Sequence, residues 1–243
     1  MIPDNEELFL EENNIKKIVP YTKNYPQFIE ISRKKLKTIY QYGNPVPEKK
    51  GIAVVGTRDC SDNGKKFAEE VGKELANANF IVNSGLARGI DSFAHKGCIE
   101  GGGFPMGFLA WFHKFYPPEN KSLLEKIGEV GCAISENLFS PTGISKFEFL
   151  KRDEIMAAFS QVIVVVESKE KGGAKYTATY AMNKKIPLII CDTKTDNPEL
   201  KNGFNSFIDM NAIVAKNPKE VIEIIKNIIG KTNSKKSTLD NFN

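Results

Sequence analysis

The chain has 243 residues, of which 41% are hydrophobic, and this is enough for one large α/β domain with its own core. Its formal net charge of +4 and its pI near 8.7 permit nucleic-acid binding without requiring it, because many proteins with neutral ligands show the same balance. No apolar run approaches the roughly 18 residues of a membrane span, and no signal-peptide pattern opens the chain. The four cysteines lack the spacing of metal ligands, so we expect free thiols in a soluble, cytoplasmic protein.

Composition divides the chain into three segments. Residues 1–50 are polar and rich in lysine, and they hold too few apolar residues for a core of their own, so we expect a small N-terminal lead-in that packs on the main domain. Residues 51–230 carry the regular apolar patterns of the predicted domain. The tail, residues 231–243, is rich in lysine and serine and is predicted to be disordered.

Within the domain, apolar strand patterns alternate with amphipathic helix patterns. This alternation predicts an α/β fold with a mostly parallel sheet, right-handed crossovers and helices on both faces. Asp91 is the predicted N-cap of the second helix, and Gly230 is the predicted end of the last one. The predicted strands are 52–55, 80–83, 132–135, 161–166 and 187–191, and the predicted helices are 64–78, one from 91, 152–159, 177–184 and 217–229.

Two of the predicted strands run into loops that suit an anion. Parallel neighbours end at the same edge of a sheet, and open α/β sheets bind their ligands at that edge. Backbone N–H groups and helix N-termini favour phosphate there, and arginine adds bidentate hydrogen bonds. We therefore predict a phosphate-binding edge formed by Gly56, Thr57 and Arg58 after the first strand and by Ser84, Gly85, Arg88 and Gly89 after the second.

These loops are part of a longer pattern. Gly56-Thr-Arg58 is followed by Ser84-Gly-Leu-Ala-Arg-Gly-Ile-Asp91, then by Tyr116-Pro-Pro-Glu-Asn120 and Ile134-Ser-Glu136. In this combination, over most of residues 50–215, the chain resembles the DNA-processing protein A family, also called DprA or Smf. The resemblance implies an extended Rossmann-like domain that binds single-stranded DNA, passes it to the recombinase RecA and protects incoming DNA during transformation. It also implies a binding protein rather than an enzyme, with no cofactor, and a homodimer as a common state.

The segment Glu148-Phe-Leu-Lys-Arg152 aligns with an Asn-Phe-x-x-Arg motif of that family. The resemblance implies that Arg58 contacts DNA phosphates and that Phe149 stacks on a base. It assigns backbone-tracking charge to Lys146, Lys151 and Arg152. The residues alone leave a second interpretation open, in which Phe149 belongs to the core and Lys151 is a solvated surface residue.

A further matching segment is Gly172-Gly-Ala-Lys-Tyr-Thr177, which stands where the family has Ser-Gly-Ser-x-x-Thr. Gly173 and Thr177 are retained, and Lys175 adds a cation at this rim of the predicted site. Thr177 either caps the helix that follows or touches the ligand.

The chain also departs from the family's pattern. Leu109 and the bulky Trp111 replace two glycines of a Gly-Thr-Gly turn, so Trp111 either plugs the pocket or offers a second stacking surface. Pro105 and Gly107 are expected to spoil the strand before that turn. Glu154 replaces an arginine and opposes DNA binding unless a nearby cation pairs with it.

The sequence leaves two functions other than DNA binding open, an enzyme and a nucleotide sensor. No winged-helix domain is expected after residue 230, so the resemblance is to a divergent member of the family. An enzyme similar to the LOG phosphoribohydrolases needs a Pro-Gly-Gly-x-Gly-Thr loop, whose proline and spacing are missing at 172–177. A nucleotide sensor, favoured by the filled turn at 109–111, would bind a mononucleotide in the same pocket.

Two residue pairs are further candidate sites. Asp91 and His95 lie four apart on one predicted helix, but a zinc site wants three or four ligands, so a structural role is predicted for His95. Glu119 and Glu136 form a carboxylate pair only if the fold brings them together.

Overall fold

The structure, a computed structural model, describes residues 5–32, 37–113, 115–140 and 146–240, and their side chains except those of 30–32 and 232–240. The predicted α/β class with a mostly parallel sheet is confirmed. Over the described residues, one sheet contains the strands β1 (Ile15–Ile18), β2 (Ile39–Gly43), β3 (Gly51–Val55), β4 (Ile81–Ser84), β5 (Phe104–Phe108), β6 (Cys132–Ser135), β7 (Ser160–Val165), β8 (Leu188–Cys191) and β9 (Ile213–Ala215).

The sheet has a topological switch point between β3 and β7. Its strand order is β1-β2-β6-β5-β4-β3-β7-β8-β9, and all pairs from β6 to β9 are parallel. From β3 the chain proceeds outward through β4, β5 and β6, and then returns to place β7 on the other side of β3. Open α/β sheets bind ligands outside the carboxyl ends of their strands at such a reversal.

Helices cover both faces of the sheet, as predicted. The helices described are α1 (Glu6–Glu12), α2 (Gln27–Ser32), α3 (Asp62–Asn77), α4 (Ile90–Glu100), α5 (Lys121–Val130), α6 (Lys146–Ala158), α7 (Gly173–Asn183), α8 (Pro198–Ile208) and α9 (Pro218–Asp240). The residues of β7 alternate between two core clusters: Val162 and Val164 pack with α3, α4 and α9, and Ile163 and Val165 pack with α6, α7 and α8. Burial on both faces explains the uninterrupted apolar run of this strand.

The N-terminal lead-in contributes two strands that the sequence did not reveal. β2 pairs antiparallel with β6, and β1 pairs antiparallel with β2 at the edge of the sheet. In β1, Ile15 and Ile18 are buried and the two lysines between them are exposed, so four residues give no clear alternation. The segment boundary at residue 50 stays a prediction, and residues 1–4 and 33–36 lie outside the described part of the chain.

The expectation that Pro105 and Gly107 spoil a strand is wrong, because both lie in β5. Pairing of β5 with β6 begins at Met106, so the missing N–H of the proline falls at the strand's start. A Cβ at Gly107 would lie 2.5 Å from the side chain of Leu86, so the lack of a side chain here lets Leu86 pack against the strand.

The predicted helix end at Gly230 is also wrong, because α9 continues to Asp240. A glycine inside a helix costs only about 1 kcal/mol relative to alanine, which neighbouring turns can offset. Residues 231–240, predicted to be disordered, therefore have a helical backbone, and residues 241–243 lie outside the described chain. Among the helices that the structure describes, none combines the length and apolar character needed to cross a bilayer.

Candidate nucleic-acid interface

A cavity of about 510 Å³ opens at the switch point, outside the carboxyl ends of β3 and β7. The loops after β3 and before α4 form part of its wall, together with α6, the start of α7, Tyr116 and Lys169. The cavity therefore lies at the edge of the sheet where the sequence predicts a phosphate site, and ligand binding at this edge stays a prediction. Eight of the predicted site residues line this cavity: Gly56, Thr57, Arg58, Lys146, Phe149, Arg152, Gly173 and Thr177.

The N-terminus of α3, which follows the Gly-Thr-Arg loop, is already occupied by a carboxylate of the protein. The N-cap Ser61 donates its backbone N–H (2.9 Å) and its hydroxyl (2.6 Å) to the carboxylate of Glu167, which is 3% exposed. Thr193 donates a third hydrogen bond to the same group, at 2.7 Å. A helix N-terminus favours an anion, and at the start of α3 the carboxylate of Glu167 already takes that place.

The backbone N–H groups of the loop before α4 also bind a carboxylate of the protein, that of Asp91. Its Oδ2 accepts hydrogen bonds from the backbone N–H groups of Gly85 (3.1 Å) and Ala87 (3.4 Å). The N-cap of α4 is Gly89, with φ of +74°, so the prediction that Asp91 is the N-cap is wrong. Burial raises the pKa of Asp91 to about 6.

The start of α7 is different, because no side chain in the described part of the structure caps it. Its N-cap is Gly172, which has no side chain to accept from the first N–H groups. A Cβ added at Gly173 would meet nothing within 4 Å, so the backbone there borders open space in the cavity. An uncapped helix start carries unsatisfied N–H donors and the positive end of the helix dipole, and it favours an anion.

Exposed cations stand at the rim of the same cavity. Arg58 and Lys146 are both exposed, and no ion pair involves Arg58 within the described residues. Lys169 also lines the cavity, but its Nζ lies 2.8 Å from a carboxylate oxygen of Glu199. Arg58 and Lys146 are therefore the wall cations whose charge no ion pair within the described residues offsets.

Arg152 faces inward rather than toward the rim. It is 7% exposed, and its Nη1 donates to the carbonyl oxygens of Gly85 and, at 3.0 Å, of Phe108. Its Nε lies 2.8 Å from Oδ1 of Asp153. A Cβ at Gly85 would overlap the guanidinium, so this glycine makes room for the arginine. Arg152 thus ties the ends of β4 and β5 to α6, a position that favours an architectural role over the phosphate contact predicted for it.

Phe149 presents a half-buried ring to the cavity. Its centroid lies 5.4 Å from that of Trp111 and 6.0 Å from that of Tyr116, and 5.8 Å from the guanidinium carbon of Arg58. Trp111 is 4% exposed and is absent from the cavity wall, so it neither plugs the pocket nor offers a stacking surface. Trp111 packs against the ring of Phe149 and holds it in place. An aromatic ring fixed in this way beside a cation is well suited to stack on a base.

Two residues near the cavity have partners that the sequence did not indicate. Glu154 accepts a hydrogen bond of 2.6 Å from the hydroxyl of Tyr176, rather than pairing with a cation. Thr177 lies inside α7 and is 1% exposed, so it does not cap the helix. Burial raises the pKa of Asp153, and Arg152 and Thr177 oppose that shift.

The remaining predicted residues lie beside the cavity or away from it. Gly85 and Arg88 border a small adjoining recess, where Arg88 pairs with Glu119 at 3.2 Å. The hydroxyl of Ser84, which is fully buried, donates to the carbonyl of Val54 at 2.6 Å. The others are absent from the cavity wall: Gly89 packs against the loop after β3, Lys151 is exposed on α6, and Lys175 donates to the carbonyl of Ser206 at 2.9 Å.

The other residue pairs do not form sites. His95 is fully buried, and burial lowers its pKa to about 4. Glu119 and Glu136 pair with different cations, Arg88 and Lys37. Within the described residues, no group of three or more histidines, cysteines and carboxylates could hold a metal ion. All four cysteines are free thiols, as predicted.

Several residues that line the cavity were not predicted from the sequence, among them Asp153 and Tyr116. Asp153 lies four positions after Phe149, so helical spacing could have placed it on the same face of α6. Tyr116 belongs to a matched motif, but nothing in the sequence brings that motif to the cavity.

A second cavity, of about 420 Å³, lies at the end of β8, where Lys194 pairs with Asp192 and Lys201 lies 3.5 Å from Asp196. Its cations are already neutralised, which makes it the poorer candidate for phosphate.

Known proteins resemble the chain in sequence and in fold. Protein Smf of Synechocystis is 32% identical over 188 residues, which cover 71% of this chain and 46% of that protein. The DNA processing protein DprA of Bacillus subtilis is 30% identical over 176 residues, with 71% and 59% covered. The structure of DprA from Streptococcus pneumoniae superposes with a TM-score of 0.77 at 26% identity, over 90% of this chain and 78% of that one.

The chain spans about half the length of the curated relatives it matches, 46% and 59% for the two named above. The structure of DprA from Helicobacter pylori has the same fold, with a TM-score of 0.74 at 22% identity, over 88% of this chain and 96% of that one. A family model described as DNA recombination-mediator protein A matches residues 16–226, which is most of the chain. The chain therefore belongs to the DNA recombination-mediator protein A family.

Proposed function

We propose that the cavity at the switch point binds single-stranded DNA. The observation that carries this proposal is the meeting, in one cavity of about 510 Å³, of the uncapped start of α7, the exposed Arg58 and the supported ring of Phe149. The first two suit a phosphate, and the third suits a base. The Helicobacter pylori relative is described by its single-stranded DNA binding mode, which agrees with the proposal.

A single strand fits this arrangement better than a duplex. A base can reach the face of Phe149 only if it is unstacked from its neighbours, and the bases of a duplex are already stacked and paired. Stacking is tolerant of sequence, because every base has a flat face. The phosphate contacts release counterions, so binding weakens as salt rises.

The proposed role in the cell follows from the family. The protein holds a single strand and delivers it to a RecA-type recombinase during DNA uptake, in the cytoplasm, by positioning rather than by catalysis. A second copy of the chain is the expected partner in a homodimer. The nucleotide sensor is the competing function, since a cavity of about 510 Å³ also accommodates one nucleotide.

The test is fluorescence anisotropy with a labelled oligo-dT at low and at physiological salt, with a duplex of equal length as competitor. We expect salt-sensitive binding that the duplex displaces poorly and that Arg58→Ala weakens. Lys16→Ala is the matched control, because Lys16 is an exposed cation on β1, at the far edge of the sheet. Tight binding of a mononucleotide without binding of the oligonucleotide would contradict the proposal and support the sensor.

A further inference from the structure

A second aromatic residue, Phe147, lies on α6 outside the cavity. The cavity-facing side of this helix carries Lys146, Leu150 and Asp153, at positions i, i+4 and i+7. The neighbouring stripe, displaced by one residue, begins with Phe147 and Lys151. The ring of Phe147 is 61% exposed, so the stripe faces solvent beside the rim of the cavity.

The surroundings of Phe147 match those of a base-stacking position. The Nζ of Lys151 lies 4.2 Å from the ring centroid, close enough for a cation–π interaction. A cation beside an aromatic face is the combination that single-strand-binding surfaces use, because one group meets the phosphate and the other the base. Both residues lie in the first turns of α6, whose N-terminal end has the positive pole of the helix dipole.

We propose that Phe147 and Lys151 form a second stacking position for single-stranded DNA, occupied by a nucleotide next to the one held in the cavity. This inference rests on the proposed function, which it extends from a single pocket to a track around α6. Lys146 joins the two positions, because it lines the cavity and directly precedes Phe147 in the chain.

The far end of the same stripe sets a limit to the track. Glu154 follows Lys151 by three positions, and its carboxylate accepts the hydroxyl of Tyr176 at 2.6 Å. A negative charge held there repels phosphate, so the strand crosses α6 near its N-terminal end and does not follow the helix toward its C-terminus.

The experiment is a length series of labelled oligo-dT, from two to twelve nucleotides, measured by anisotropy with the full chain. For Phe147→Ala we expect unchanged affinity for the shortest oligonucleotides that bind and a loss of about 5- to 100-fold for the longer ones. Phe147→Trp should retain the wild-type length dependence. Met182→Ala, which removes another exposed apolar side chain, from α7, is the matched control and should bind like the wild type.

Wild-type affinity of Phe147→Ala at every length, together with weakened binding by Arg58→Ala, would overturn this inference and leave the proposed function standing. Absence of binding by the wild-type protein at every length would overturn both. If Phe147→Ala changes the oligomeric state in light scattering but not DNA affinity, the residue serves a protein contact and the inference is wrong.

Discussion

Arg152 gives the sharpest test of how the site is built. In Arg152→Met the stem of the side chain is largely kept, but the carbonyl oxygens of Gly85 and Phe108 lose their donor and the Asp153 carboxylate loses its cation. Removing one partner of a buried ion pair costs about 3–5 kcal/mol, because the other charge stays buried without compensation. For a chain of this size, such a loss lowers the melting temperature by about 10 °C.

The assay is thermal and urea unfolding followed by circular dichroism, with oligo-dT binding measured below the transition. Arg58→Met is the matched control, because Arg58 is exposed and should lose DNA affinity while its stability changes by less than about 0.5 kcal/mol. The reasoning is refuted if Arg152→Met has the same melting temperature as the wild-type protein and loses DNA affinity as Arg58→Met does. Arg152 would then be a phosphate ligand, as the sequence suggested.

Four further predictions concern the cavity and the assembly. Phe149→Ala should weaken oligo-dT binding by about 1–3 kcal/mol in the anisotropy titration; a collapse of the melting temperature instead would make Phe149 a core residue. The melting temperature of Gly173→Ala should be no lower than that of the wild type, because the added Cβ meets open space. The variant should bind DNA more weakly, because phosphate approaches the backbone at this position. Wild-type affinity would show that the start of α7 is not part of the site. The pKa of Asp91 is raised from 3.8 to about 6, so its native carboxyl keeps a proton that the unfolded chain releases. The free energy of unfolding of the wild type relative to Asp91→Asn should therefore fall by about 2 kcal/mol as pH rises from 4 to 6.5, and parallel urea titrations with a constant difference would contradict this. Light scattering should show a dimer, and a monomer at every concentration would count against the homodimer.

Much of the architecture can be predicted from the sequence because its signals are local. The apolar run of β7 and the one-sided apolar pattern of α3 each depend on residues within one element. Alternation of such elements implies a parallel sheet, and a parallel sheet brings the loops after β3 and β4 to one edge. β1 and β2 escaped prediction, because strands of four or five residues are defined by the neighbours with which they pair.

The composition of the site was decided by tertiary structure. Ser61 and Glu167, which close the start of α3, are 106 residues apart, and Gly85 and Arg152 are 67 apart. Sequence pattern cannot show which loop N–H groups the protein's own carboxylates have already taken, nor whether an arginine turns outward to a ligand or inward to a carbonyl. The sequence by itself determined the α/β alternation and the sheet edge at which the cavity lies. Only packing between distant segments decided that the carboxylates of Glu167 and Asp91 bind the backbone N–H groups at the start of α3 and in the loop before α4. The same packing leaves α7 uncapped and buries Arg152. The physical reason is that a buried polar group must pair with whichever partner the fold brings to it.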